Sequence, residues 1–225
     1  LIEMSIRMKR LLLVLGFVVV VFFVWKHMQK NSDNGLVVIL NGPSSVGKSS
    51  IIKLFQEKNE KLWLGIGIDS FFVGVLSSKF YLEDKPEHHA VMRGIASVNS
   101  DGNKVFDLCI GEVGQKVIKG MNRAIGAYAR AGNNVIVDYI NYDSSWIEDL
   151  KAALSGVKVV FIGVKATLET IEAREKIRAT SPQGHARSHY DSVHQGIVYD
   201  LVLDTENKTA SQAAQELMEF IRSKA

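Results

Sequence analysis

One cysteine in 225 residues rules out an intrachain disulfide and any metal site built on several thiolates. Cys109 itself sits between Leu108 and Ile110, a context that suits a reduced core thiol rather than a nucleophile. Positive charge is scarce where a nucleic-acid binder would need it. The formal net charge is +3, yet residues 1–35 hold five Lys/Arg against two acids, so residues 36–225 carry 22 of each sign. A neutral domain leaves no electrostatic footprint for nucleic acid. Internal repeats and low-complexity tracts are missing. Long apolar runs are few: Leu11–Trp25 is fifteen residues without a charge. As a helix it spans about 22 Å, short of a hydrocarbon core of roughly 30 Å. A small-residue cleavage site is also lacking, because Phe22, Phe23, Val24 and Trp25 lead straight into Lys26.

That run is apolar on every face, which argues against a buried core helix, and Arg7, Lys9 and Arg10 precede it. The expectation is a basic segment and membrane anchor over residues 1–25, an uncleaved transmembrane or signal-anchor helix with Trp25 at the interface. A polar linker over 26–35 follows, then a domain over 36–225. Three flanking cations before the run and two after leave its orientation nearly balanced. The expected placement of the domain is the cytoplasmic face of a bacterial inner membrane.

What the chain does have is concentrated between Leu36 and Ser50. Five apolar residues, Leu36–Leu40, read as a fully buried strand of a parallel sheet. Gly42, Pro43, Ser44, Ser45, Val46, Gly47, Lys48 and Ser49 follow as Gly-x-x-x-x-Gly-Lys-Ser, the phosphate-binding loop pattern, with Ser50 and an apolar-periodic helix behind. Backbone N–H groups of such a loop cradle the β-phosphate, and the helix start adds its positive dipole end. Lys48 would reach the β- and γ-phosphates, and the Ser49 hydroxyl would bind Mg²⁺.

A second strand, Leu62–Ile68, ends at Asp69 and Ser70. At the carboxyl edge of a parallel sheet Asp69 is either the base that takes a proton from an acceptor hydroxyl or the N-cap of a Phe71–Leu76 helix. Residues 77–104 read as irregular, with a turn at Asp101–Gly102; Glu83, Asp84, Glu87, His88 and His89 fit a solvated loop or pocket lining better than a metal site. An amphipathic helix spans Ile110–Ala131. The strand Val135–Asp138 ends in an acid that is either aimed at Mg²⁺ or a structural cap. Ser145 and Glu148 read as a capping box. The strand Val157–Val164 leads to a helix capped by Thr167, on which Arg174 and Arg178 share a face. The polar stretch Ala179–Arg187 reads as a lid. Arg174, Arg178 and Arg187 over the phosphates, or paired with Glu172 and Glu175, are the competing readings. A last strand at Leu201–Leu203 and a helix capped by Thr209 and Gln212 complete a doubly wound α/β domain, the P-loop NTPase fold with a five-stranded parallel sheet flanked by helices.

Four blocks together resemble the chloramphenicol phosphotransferase-like family of small-molecule kinases. They are Ile39–Ser49; Trp63, Leu64, Gly67, Asp69 and Ser70; Arg174 and Arg178 with Gly184 and Ala186; and Val193, His194, Gly196, Tyr199, Asp200, Asp204 and Thr205. The likeness covers about residues 36–222. It implies ATP-dependent phosphorylation of a hydroxyl on a small molecule, with Asp69 as base and the 42–49 loop on ATP. His194 and Asp200 match family positions without a chemical role, and packing around the last strand is the expectation for them. The anchor is not a family feature, and residues 71–98, where the family shapes its acceptor pocket, are least alike. The loop is also similar to that of guanylate kinases, but their downstream acceptor motif is absent. A toxin-like nucleotide-sugar kinase and a non-catalytic nucleotide-binding membrane module are the alternatives.

Overall fold

The computed structural model describes residues 34–82, 85–178 and 181–224. The anchor and most of the linker lie outside the described residues, as do Glu83, Asp84, Ala179 and Thr180. Among the described residues no helix is long and apolar enough to cross a membrane.

Strand β1 (Val37–Asn41) is buried at every position, as its unbroken apolar run demands of a strand covered on both faces. It lies in the middle of a parallel sheet. Strands β5 (Asn134–Tyr139) and β6 (Val159–Lys165) flank it, and β2 (Trp63–Gly67) and β7 (Leu201–Asp204) form the edges, in the order β2-β5-β1-β6-β7. The five strands are those expected from the sequence.

Alternation along β1 divides the core in two. Val38 and Leu40 face α1 (Lys48–Lys58) and α8 (Ala210–Lys224), meeting Phe55, Leu217 and Ile221. Val37 and Ile39 face α4 (Glu112–Arg130) and α5 (Ser144–Ala153), meeting Met121, Ile125 and Leu150. This is the period-two consequence of the pleat. A helix layer on each face keeps the sheet dry and leaves its carboxyl edge open.

The remaining elements gather above that edge: α2 (Ile68–Phe72), α3 (Lys79–Leu82), a 3₁₀ turn (Pro86–His88), an antiparallel hairpin of β3 (Met92–Val98) and β4 (Lys104–Ile110), then α6 (Leu168–Ile177) and α7 (His185–His189).

Several local expectations shift. The stretch expected to be irregular holds the β3–β4 hairpin. Its connection is closed by Asn99 N donating to Asn103 O at 3.0 Å, with the Asn99 carbonyl accepting from Gly102 N. Six of the seven residues of β3 are exposed, so no buried face imposes the alternation by which a strand is recognised. Ile110 pairs with Met92 in this hairpin, and α4 therefore starts at Glu112 rather than Ile110. The cap of α5 is Asp143, whose carboxylate accepts from Ser145 N at 2.8 Å, displacing the box expected at Ser145 and Glu148. At α6 Thr167 caps as expected, through Thr170 N at 3.3 Å. Thr209 and Gln212 form a reciprocal box, with Thr209 N on Gln212 Oε1 at 2.9 Å and Gln212 N on Thr209 Oγ1 at 3.2 Å.

Candidate active site

The phosphate loop turns directly off the carboxyl end of β1. Gly42 passes so close to β6 that a Cβ there would stand 2.4 Å from Val164 O. Gly47 has φ 106°, a left-handed conformation that glycine adopts freely. Directly after Gly47, Lys48 is 4% exposed, with Nζ donating to Gly42 O and Pro43 O, both at 2.9 Å, and lying 3.5 Å from Asp138. Burial pushes the Lys48 amine down from its ordinary range, and the nearby Arg178 charge acts the same way; Asp138 opposes both.

Asp138 stands opposite Leu40 on one side and Gly67 on the other in the parallel register. Its Oδ2 accepts from Ser49 Oγ at 2.6 Å. Two hard oxygen donors thus meet beside the lysine, the donor chemistry that Mg²⁺ takes. Among the described residues no group of three or more His, Cys, Asp and Glu could hold a metal by itself, so Mg²⁺ there would rely on phosphate oxygens and water. That fits the way Mg²⁺ is bound with nucleotides.

Asp69 lies in the first turn of α2, whose N-cap is Gly67. The aspartate therefore does not cap the helix, and its exposed side chain lines the same cleft as Lys48, Ser49 and Asp138. That cleft has a volume of about 1230 Å³, larger than the roughly 300–1,000 Å³ of a single small-molecule pocket. Its far wall is apolar and aromatic, built from Phe72, Phe80, Met92, Phe106, Leu108 and Trp146. The hairpin and short helices over residues 68–110 supply most of this wall.

The arginines separate. Arg174 lines the cleft, but its guanidinium braces the loop from behind, donating to Thr205 O at 2.7 Å, Thr205 Oγ1 at 3.2 Å and Val46 O at 3.4 Å. Arg178, the C-cap of α6, lines the cleft and adds its charge to the field at Lys48. Arg187 departs from the lid expectation. It grips Glu172 with Nε at 2.7 Å and Nη2 at 2.8 Å, the ion-pair alternative, and is not among the residues lining the cleft. Glu175 is buried and accepts from Gly184 N at 2.7 Å and Ala186 N at 2.9 Å. It ties α7 to the helix that carries Arg174 and Arg178.

Sequence reasoning missed Tyr142, His185 and His189. Tyr142 OH meets His185 Nε2 at 2.9 Å with the rings stacked, and Ser44 N donates to His189 Nε2 at 3.1 Å. Burial pushes His185 down to about 4 and His189 down to about 3, helped by neighbouring positive charge, so both imidazoles are neutral. Burial raises the Tyr142 phenol, and Asp69 and Asp138 add to it. The available signal was the four-residue spacing of His185 and His189, which puts both on one helix face.

Asp200 packs around the last strand, and His194 reaches the phosphate loop only through Tyr199 and Asn41. Asp200 Oδ2 accepts from Phe161 N at 2.9 Å, and Asp200 N donates to Phe161 O at 2.8 Å, fastening the start of β7 to β6. Tyr199 OH accepts from Asn41 Nδ2 at 2.7 Å and bonds His194 Nδ1 at 2.7 Å. Burial holds His194 down at about 4. Asn41 is the last residue before the phosphate loop.

A phosphate loop at the centre of a five-stranded parallel sheet, with one acid near the end of the neighbouring strand β5 and another just past the edge strand β2, defines a P-loop kinase-type phosphotransferase. The chain belongs to the chloramphenicol phosphotransferase-like protein family, whose profile matches residues 35–222. Two Mycobacterium tuberculosis proteins, from strains CDC 1551 and H37Rv, each named "Putative O-phosphotransferase", are 31% identical to it over 186 residues, 82% of this chain and 81% of theirs. In fold it is similar to the APS kinase of M. tuberculosis solved with AMPPNP and APS (TM-score 0.56, 18% identity, 84% of this chain and 98% of that one). A gluconokinase from Sinorhizobium meliloti is also similar (TM-score 0.54, 16% identity, 85% and 94%).

Proposed function

We propose that the protein transfers the γ-phosphoryl group of ATP to a hydroxyl of a small molecule. One observation carries this reading: Asp69 opens into the cleft that also holds Lys48, Ser49 and the phosphate loop. The triphosphate lies along residues 42–49, and the acceptor sits against the apolar wall. Asp69 accepts the hydroxyl proton as the acceptor oxygen bonds to the γ-phosphorus; the bond from that phosphorus to the β,γ-bridging oxygen breaks and ADP leaves. Lys48, released from Gly42 O and Pro43 O, and Arg178 oppose the charge that develops on the transferring group. Arg174 keeps the loop in shape, and Arg187 has no part in the phosphates. Ser49 and Asp138 would hold Mg²⁺, which when bound offsets the negative charge of the phosphates.

Asp69 in the cleft favours a catalyst over a nucleotide-sensing module. The experiment is phosphate transfer from γ-labelled ATP to a panel of small alcohols. Asp69→Asn should keep ATP binding and lose at least about a hundredfold in transfer; undiminished transfer would remove Asp69 as the base. We further propose that residues 1–25 tether the domain to the cytoplasmic face of a bacterial inner membrane. Release of the chain into the soluble fraction by carbonate washing would contradict that.

A further inference from the structure

Among the described residues outside glycine, only Ser45 has a left-handed backbone, at φ 61°. It lies in the middle of the phosphate loop. An L-residue holds this conformation only where its surroundings enforce it. Two clamps bracket it. On one side Val46 O accepts from Thr205 Oγ1 at 2.9 Å and from Arg174. On the other, Ser44 N donates to His189 Nε2 at 3.1 Å, and Ser44 Oγ lies 3.3 Å from Ser181 Oγ.

His189 is 3% exposed, and its ring is wedged edge-on between Tyr142 and His185, with centroids 4.8 Å and 5.0 Å away. A backbone amide can only donate, so Nε2 must present its lone pair. The proton then sits on Nδ1, 3.3 Å from Ser188 Oγ. Both ring nitrogens have partners of the right sense.

We propose that His189 is a positioning residue for the phosphate loop: its neutral imidazole, by accepting the Ser44 N–H, holds Ser45 in the left-handed conformation and so aims the amides that follow at the phosphates. The inference rests on the nucleotide-binding reading above. It adds a part of the machinery that no block of the family resemblance contains.

The test uses the full chain and titrates ADP with Mg²⁺ by calorimetry, with circular dichroism verifying the fold of each variant. His189→Leu removes the acceptor and should weaken ADP binding about tenfold. His189→Gln offers Oε1 in its place and should stay within about threefold of wild type. Adding Ser45→Gly to the leucine variant should recover most of the loss, because glycine needs no enforcement. Nitrogen-15 NMR of the wild-type imidazole should show an unprotonated Nε2, and the Ser44 amide should exchange slowly until His189 is replaced. A folded leucine variant that binds as tightly as wild type overturns the proposal. So does an equal loss in both single variants without recovery by glycine, or a protonated Nε2. Should wild type bind no ADP, the functional reading fails by itself, and the NMR signature and Ser44 exchange, which need no nucleotide, decide the role of His189.

Discussion

Lys48 directs its ammonium at the loop that carries it, onto Gly42 O and Pro43 O. A buried ammonium is costly unless its donors are satisfied. Here two carbonyls and Asp138 satisfy them until phosphate oxygens take their place. Lys48→Met should therefore leave the fold intact and weaken ADP binding at least tenfold, measured by calorimetry. Glu175 has the opposite character, a buried carboxylate serving structure. Glu175→Ala strips the acceptor from two buried amides, Gly184 N and Ala186 N. At about 1–3 kcal/mol for each unsatisfied donor, urea unfolding should show a loss of about 3 kcal/mol. Both residues stood in the sequence in plain view. Lys48 could be read because its motif carries a mechanism. Glu175 could not, because a helical glutamate normally faces solvent and only the chain returning at Gly184 buries it.

At the level of elements, legibility follows burial. The five parallel strands were readable because both their faces are covered, and β1 in particular has no polar residue before Asn41. The β3–β4 hairpin escaped because its first strand faces solvent, and with it went most of the apolar wall of the cleft. Block four of the family pattern was readable as a pattern but not as physics: the bonds from Thr205 to Val46 and from Tyr199 to Asn41 link residues more than 150 positions apart. One consequence is testable at Gly163 on β6. A Cβ there would stand 2.9 Å from the ring of Tyr199, pushing the ring off Asn41. Gly163→Ala should lower thermal stability by about 1–3 kcal/mol, as overpacking does, whereas Gly120→Ala on α4, where a Cβ meets nothing within 4 Å, should be neutral or stabilising.

At the scale of the whole fold, three imidazoles among the described residues are held neutral by burial: His185 at about 4, His189 at about 3 and His194 at about 4. Unfolded histidine titrates near 6.5. Between those values the unfolded chain binds protons that the folded one does not, so stability rises with pH in this window. The contribution is complete above about pH 6.5 and is lost as pH falls toward each ring's folded value, at up to about 1.4 kcal/mol per pH unit for the most deeply buried ring, His189. The urea midpoint should therefore fall between pH 7 and pH 5, and His189→Gln should flatten that fall; an unchanged slope would contradict the burial of a neutral ring.

Transfer requires a triphosphate and Asp69 to face each other across the cleft. The direct measurement is a crystal structure of this protein grown with AMPPNP and Mg²⁺. The expected result has the β-phosphate in the 42–49 loop, Lys48 moved from the loop carbonyls onto phosphate oxygens, and the γ-phosphate turned toward the Asp69 carboxylate with space for one hydroxyl between them. A nucleotide bound outside the loop, or a γ-phosphate turned away from Asp69 with no room for an acceptor, would contradict it.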